Sequence, residues 1–116
     1  MSRTTVVLMS AGYKYGHPAA GHVFDVTSCP NPRAQAHLRP AQYKAWMGGQ
    51  LSIRLRILAI AEYIRKVGGS EPGVYAICCT GGRDRSPFIV GEVARTLRNR
   101  CPKWRIVVRH REGLLE

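Results

Sequence analysis

Residues 79–87 read CTGGRDRSP, closing an apolar run and opening a helical one. These residue types suit an anion better than a core. Gly81 and Gly82 let backbone N–H groups turn inward into a concave nest of donors. The amino end of the following helix adds unpaired N–H groups and positive dipole. Arg85 can hold two oxygens of one phosphate, and Ser86 can cap the helix or donate to a ligand. Thr80 through Ser86 would then cradle an oxyanion, with Arg83 facing either the ligand or solvent. The competing reading is a tight turn with solvated arginines.

The same letters read as C-x5-R-S, with Cys79, five residues, then Arg85 and Ser86. That spacing resembles the phosphate loop of cysteine-dependent tyrosine phosphatases. A nest, a helix amino end and Arg85 would favour a nucleophilic thiolate at Cys79. Catalysis also needs an acid for the leaving oxygen, and Asp25 is the one plausible carboxylate at a strand end. Asp25 has an alternative as a cap for the loop after it. Cys78 occupies the place where those enzymes carry a histidine, and Asp84 sets a negative charge inside the cradle.

Elements must position these groups. The 116 residues suffice for one domain, 1–116, with its own core. Residues 4–9 (TTVVLM), 23–27 (VFDVT), 73–79 (GVYAICC) and 104–109 (WRIVVR) read as strands, the third apolar on both faces and so central. Residues 10–18 (SAGYKYGHP) read as a loop, and 28–40, with Pro30, Pro32 and Pro40, as an irregular connection. Over 51–67 a helical period is clear in Ile53, Ile57, Ile60, Ile64 and Val67, with Leu51, Leu55 and Leu58 widening the stripe. Glu62 can pair with Lys66, and Gly68-Gly69 supplies a stop. A further helix is expected with Ser86 as N-cap, Pro87 at its first position and Ile89, Val93 and Leu97 inward. Residues 110–116 read as a tail. The alternation predicts an α/β fold: a mostly parallel four-stranded sheet flanked by helices in a three-layer sandwich. Its ligand site should lie at the carboxyl ends of the strands.

Charge narrows the partner. Eighteen Lys and Arg against seven Asp and Glu leave +11, and fourteen of the cations are Arg. Such a balance favours nucleic acid or phosphorylated ligands over an uncharged partner. The longest apolar-rich segment is broken by Arg54, Arg56, Glu62 and Arg65, which argues against a membrane span. The four cysteines show no paired C-x-x-C spacing, no leader precedes them, and adjacent Cys78 and Cys79 would face opposite sides of a strand. These features imply a cytoplasmic protein with no metal and no cofactor.

GYKYGHP (12–18), VFDV (23–26), PNP (30–32), LRP (38–40), CTGGRDRS (79–86) and RHRE (109–112) follow one another in order. Together they resemble the C-terminal domain of the RapZ family, the bacterial RNase adapter proteins, here as a stand-alone chain. The resemblance implies a non-catalytic regulatory module that binds small RNA, presents it to an endoribonuclease and senses an amino-sugar phosphate. It also suggests self-association. Carried onto this chain, the ligand shell is Lys14, Tyr15, His17, Asp25, Asn31, Thr80, Gly81, Gly82, Arg85 and Ser86, with His110 and Arg111 nearby. Lys14 would act as a point charge for phosphate, while Asp25 and Asn31 suit sugar hydroxyls or amines. Asn31 could equally form an Asx-turn, Tyr15 pack and His17 be a satisfied loop residue. The chain departs from the family at Arg83-Asp84, in the segment AQYKAWMGGQ after LRP, and in its LLE ending. With no G-x-x-x-x-G-K-[ST], nucleoside triphosphate hydrolysis is not implied.

Overall fold

A computed structural model describes residues 3–113; Leu114, Leu115 and Glu116, which end the expected tail, lie outside them. Four strands form one sheet: β1 (Thr5–Gly12), β2 (His22–Asp25), β3 (Gly73–Cys79) and β4 (Arg105–His110). Their order is β2-β3-β1-β4, and every neighbouring pair is parallel. β1 runs three residues past the expected strand because Ser10, Ala11 and Gly12 find partners in Ile77, Cys78 and Cys79. No local signal in SAG announces that pairing.

Three α-helices, α1 (Tyr43–Gly48), α2 (Leu51–Val67) and α3 (Arg85–Arg100), and three short 3-10 turns at Tyr13–Tyr15, Pro32–Ala34 and Pro40–Gln42 complete the described elements. From β2 to β3 to β4 the chain moves one way across the sheet, so right-handed crossovers put α2 and α3 on one face. Ile53, Ile57, Ile60 and Ile64 of α2 and Ile89, Val93 and Leu97 of α3 share a core with Leu8, Tyr75 and Ile77. The step from β1 to β2 moves the other way and passes over the opposite face. There a smaller cluster of Ala11, Ala76 and Cys78 is covered by Tyr13 and Ala20 of the connection. The layer on this face is thus an irregular segment rather than a helix. Cys78 and Cys79 belong to the two different clusters, as strand alternation requires.

Three expectations need correction. Leu51, Leu55 and Leu58 do not widen the core stripe; they are 68%, 55% and 53% exposed, on the side of α2 away from the buried isoleucines. At a hundred degrees per residue they fall opposite Ile53, Ile57 and Ile60, and one flat sheet cannot bury both sides of a helix. Ser86 is not the N-cap. α3 begins two residues earlier than expected, at Arg85, with Asp84 at the cap position and no capping side chain. Finally, α1 falls in AQYKAWMGGQ, where no element was expected, and it places buried Met47 in the core. No described helix is long and apolar enough to cross a membrane.

Candidate functional site

The connection from β1 leaves over one face and the helix after β3 leaves over the other, so a crevice opens between the carboxyl ends of β1 and β3. Such a reversal point is where open parallel sheets bind ligands. Here the two loops are knit backbone to backbone. The Lys14 amide donates to the Thr80 carbonyl at 3.1 Å. A Cβ on Gly12 would fall 2.3 Å from the Gly81 carbonyl carbon and 2.6 Å from the Gly82 nitrogen. Gly82 itself sits at φ +73°, and a Cβ there would meet the Gly12 nitrogen at 2.7 Å. The segment after β4 completes the knot. Glu112 accepts from the Gly12 N–H at 2.9 Å, while Arg111 Nη2 donates to the carbonyls of Gly12 and Gly16.

Beside this knot lies a hollow of about 300 Å³. Lys14, Asn31, Cys79, Thr80, Gly81, Arg83, Asp84 and Arg85, all singled out in the sequence, line it together with Arg33. Arg85 is buried, and its Nη1 donates to the carbonyls of Thr27 at 2.8 Å and Cys29 at 3.0 Å. One guanidinium nitrogen thereby ties the segment after β2 to the loop after β3. Nε and Nη2 form no hydrogen bond among the described residues. The backbone N–H groups of Gly81, Arg83, Asp84, Arg85 and Ser86 likewise have no partner among the described residues. For Arg85 and Ser86 that follows from their place in the first turn of a helix.

Asp84 does not leave a bare charge in this cradle. Its carboxylate is paired with the Arg33 guanidinium, which also lies over the Tyr43 ring at 5.6 Å from the centroid. The pair holds Arg33 further toward its charged form, through the hydrogen bond to Asp84. Arg33 was missed in the sequence because PNPR carries no spacing signal toward a residue 51 positions on. Cys79 is buried; its Sγ accepts from the Gly82 N–H at 3.2 Å and lies 3.4 Å from Ser86 Oγ. Ser86 Oγ in turn donates to the Ala11 carbonyl at 3.3 Å.

The other expected ligands, Asn31 apart, fall outside this hollow. Asp25 accepts from both the amide and the hydroxyl of Thr27, at 2.8 and 2.6 Å. Those bonds hold its carboxyl below the usual carboxylate value, so it is a loop cap and a poor proton donor. Asn31 lines the hollow, but its Oδ1 accepts from the Arg33 amide in an Asx-turn. Tyr15 is exposed, with Lys14 Nζ over its ring, and His17 packs near the Tyr13 ring. Arg111 serves the backbone knot. Gly82 also belongs to the knot, with its N–H on Cys79.

His110 borders a second, larger hollow of about 880 Å³. Burial lowers the pKa of its imidazole, and Nδ1 lies 2.7 Å from Ser10 Oγ. This hollow shares Arg33, Arg83 and Asp84 with the first. The two are neighbours across the Arg33–Asp84 pair.

No family model matches the chain. It is 34% identical over 123 aligned positions to a protein named "Nucleotide-binding protein" from Delftia acidovorans, covering 96% of this chain and 40% of that relative. A protein of the same description from Neisseria meningitidis serogroup B is 35% identical over 120 positions, covering 93% of this chain and 41% of the relative. One from Desulforudis audaxviator is 35% identical over 124 positions, covering 95% and 41%. The chain therefore spans about two fifths of these relatives' length. Along nearly all of its own length, it is homologous to a domain-sized part of proteins that carry the name Nucleotide-binding protein.

Proposed function

We propose that this domain is a non-catalytic regulatory module of RapZ C-terminal type that binds a phosphorylated small molecule in the smaller hollow. The observation that carries the reading is the cradle itself. Lys14, Arg33, Arg83 and Arg85 surround a loop with open amides at a helix amino end. Cations, donors and dipole all favour the same ligand, an oxyanion. The names of the relatives agree with a phosphate-bearing ligand. An amino-sugar phosphate is the class the RapZ resemblance implies, with Asn31 at the sugar side. Calorimetric titration with inorganic phosphate and a hexosamine 6-phosphate tests it. Binding should weaken about tenfold in Lys14→Ala, which removes one charge-assisted contact from an exposed side chain. Failure of both compounds to bind the wild type at millimolar concentration would sink the reading.

RNA is the proposed second partner, supported by +11 and fourteen arginines. An endoribonuclease that receives the RNA and a homo-oligomeric assembly belong to the same reading. A structured RNA should bind at moderate salt.

One arrangement favours a second reading, a cysteine-dependent phosphatase. The Gly82 N–H bonds Cys79 Sγ, and Ser86 Oγ lies beside it. In that role the thiolate would attack phosphorus and displace the leaving oxygen, which would then need a proton. Asp25, bonded by Thr27 and held ionised, is ill placed to give one. Turnover of an aryl phosphate that vanishes in Cys79→Ser would establish the enzyme instead.

A further inference from the structure

The larger hollow differs in chemistry from the cradle it adjoins. The cradle is built from loop backbone and cations, whereas the larger space is walled by Tyr43, Met47, Pro87 and Phe88. Tyr43 and Phe88 are half-buried and pack against the edge of the core, so their rings are held in place rather than free in solvent. Two carboxylates border the space, and each already has a cation: Asp84 is paired with Arg33, and Glu92 with Arg95. The wall therefore presents fixed aromatic and apolar surface without net negative charge. His110 adds a polar edge. Its Nδ1 is taken by Ser10, which leaves Nε2, and burial keeps the ring neutral near pH 7.

Two fixed aromatic rings in one wall suit a planar, weakly hydrated ring, and Arg33, Lys44 and Arg83 on the border suit the anion attached to it. Because Arg33, Arg83 and Asp84 belong to both hollows, one ligand can place an anion in the first and a ring in the second. We infer that the larger hollow receives the heteroaromatic base of a nucleoside phosphate whose phosphate lies in the smaller one. The inference rests on the phosphate reading of the cradle and adds what the phosphate is attached to. The ribose would bridge past Arg33, whose guanidinium is already positioned over Tyr43. A free nucleotide and the 5′ end of an RNA share this chemistry.

The test is titration of the whole chain with inorganic phosphate, a hexosamine 6-phosphate and the four ribonucleoside 5′-monophosphates. Two variants accompany the wild type. Tyr43→Ala removes one ring, and Phe88→Leu removes the other while keeping apolar volume at the core edge. At least one monophosphate should bind about tenfold tighter than inorganic phosphate, the gain expected for one stacked base. Both variants should lose most of that gain, and in Phe88→Leu, which leaves Arg33 on Tyr43, the affinity for inorganic phosphate should be unchanged. If no monophosphate exceeds inorganic phosphate, or the gain survives both variants, the inference is overturned while the cradle reading stands. If no phosphorylated compound binds at all, the cradle reading fails and the inference with it. A 5′-phosphorylated single-stranded RNA hexamer run in parallel tells the two sources apart. Tighter binding than the best monophosphate, with the same loss in Phe88→Leu, assigns the site to an RNA end. Equal or weaker binding assigns it to free nucleotide.

Discussion

Gly12, Gly82 and Glu112 come from three separate stretches of chain, yet they meet within contact distance at the carboxyl ends of the strands. The meeting is possible because neither glycine has a Cβ. Gly12→Ala would drive a methyl group into the Gly81 peptide, which is backbone and cannot rotate aside. We expect a loss of about 3 kcal/mol or more in urea denaturation, or a displaced loop with phosphate binding abolished. Glu112 adds an electrostatic contribution with a defined pH sense. Burial alone would raise its pKa, but the Gly12 N–H and Arg111 outweigh that and hold it below its ordinary value of 4.5. A folded value below the unfolded one means that its stabilisation is complete above pH 4.5 and fades as pH falls through the folded value. The stability gap between wild type and Glu112→Gln should accordingly close on acidification, measured by denaturation over a pH series. A gap that stays constant into acid would show that the carboxylate charge is not what holds the loop.

At the scale of elements, α2 carries two apolar sides and only one is buried. Ile53, Ile57, Ile60 and Ile64 face the sheet, while Leu51, Leu55 and Leu58 stand in solvent. Substitutions should separate the two sides. Ile57→Ala, which opens a cavity, should cost about 2–5 kcal/mol. Leu55→Lys should change stability by no more than about 0.5 kcal/mol. Comparable losses at both positions would mean that the leucines are covered by packing. α3 shows a different division of labour. Its inward residues, Ile89, Val93 and Leu97, are core, and its first turn leaves the amides of Arg85 and Ser86 without a partner among the described residues. Ser86 is consumed in bonding to Ala11, so it ties the first turn of α3 to the end of β1 instead of capping a helix.

The whole molecule combines an all-parallel sheet with a charge of +11. Strand order β2-β3-β1-β4 sends the β1 connection and α3 to opposite faces, and the cradle opens between them. Diffuse positive charge and a local cradle predict different salt responses. Binding of a structured RNA should fall with salt at a log–log slope of about −0.7 per phosphate contact for single-stranded stretches. A small phosphate ligand releases few counterions, so its affinity should fall far less over the same range. Equal slopes for the two ligands, read from titrations at several salt concentrations, would contradict two separate modes of binding.

Much of this was legible in the order of residues. Strand and helix periods in TTVVLM, GVYAICC and the isoleucines of α2 placed the elements and implied a parallel α/β sheet. Glycines, arginine and a helix start in CTGGRDRS marked the anion loop, because nest, dipole and guanidinium are local chemistry. Other facts depended on contacts between distant segments. That β1 extends to Gly12, that Arg33 neutralises Asp84, and that Glu112 closes on Gly12 are such contacts. So is the choice of which apolar side of α2 is buried, since periodicity describes a helix face but not what lies against it. Local pattern determined which residues could bind an anion; the crossing of chains at the sheet edge decided which of them stand around one hollow.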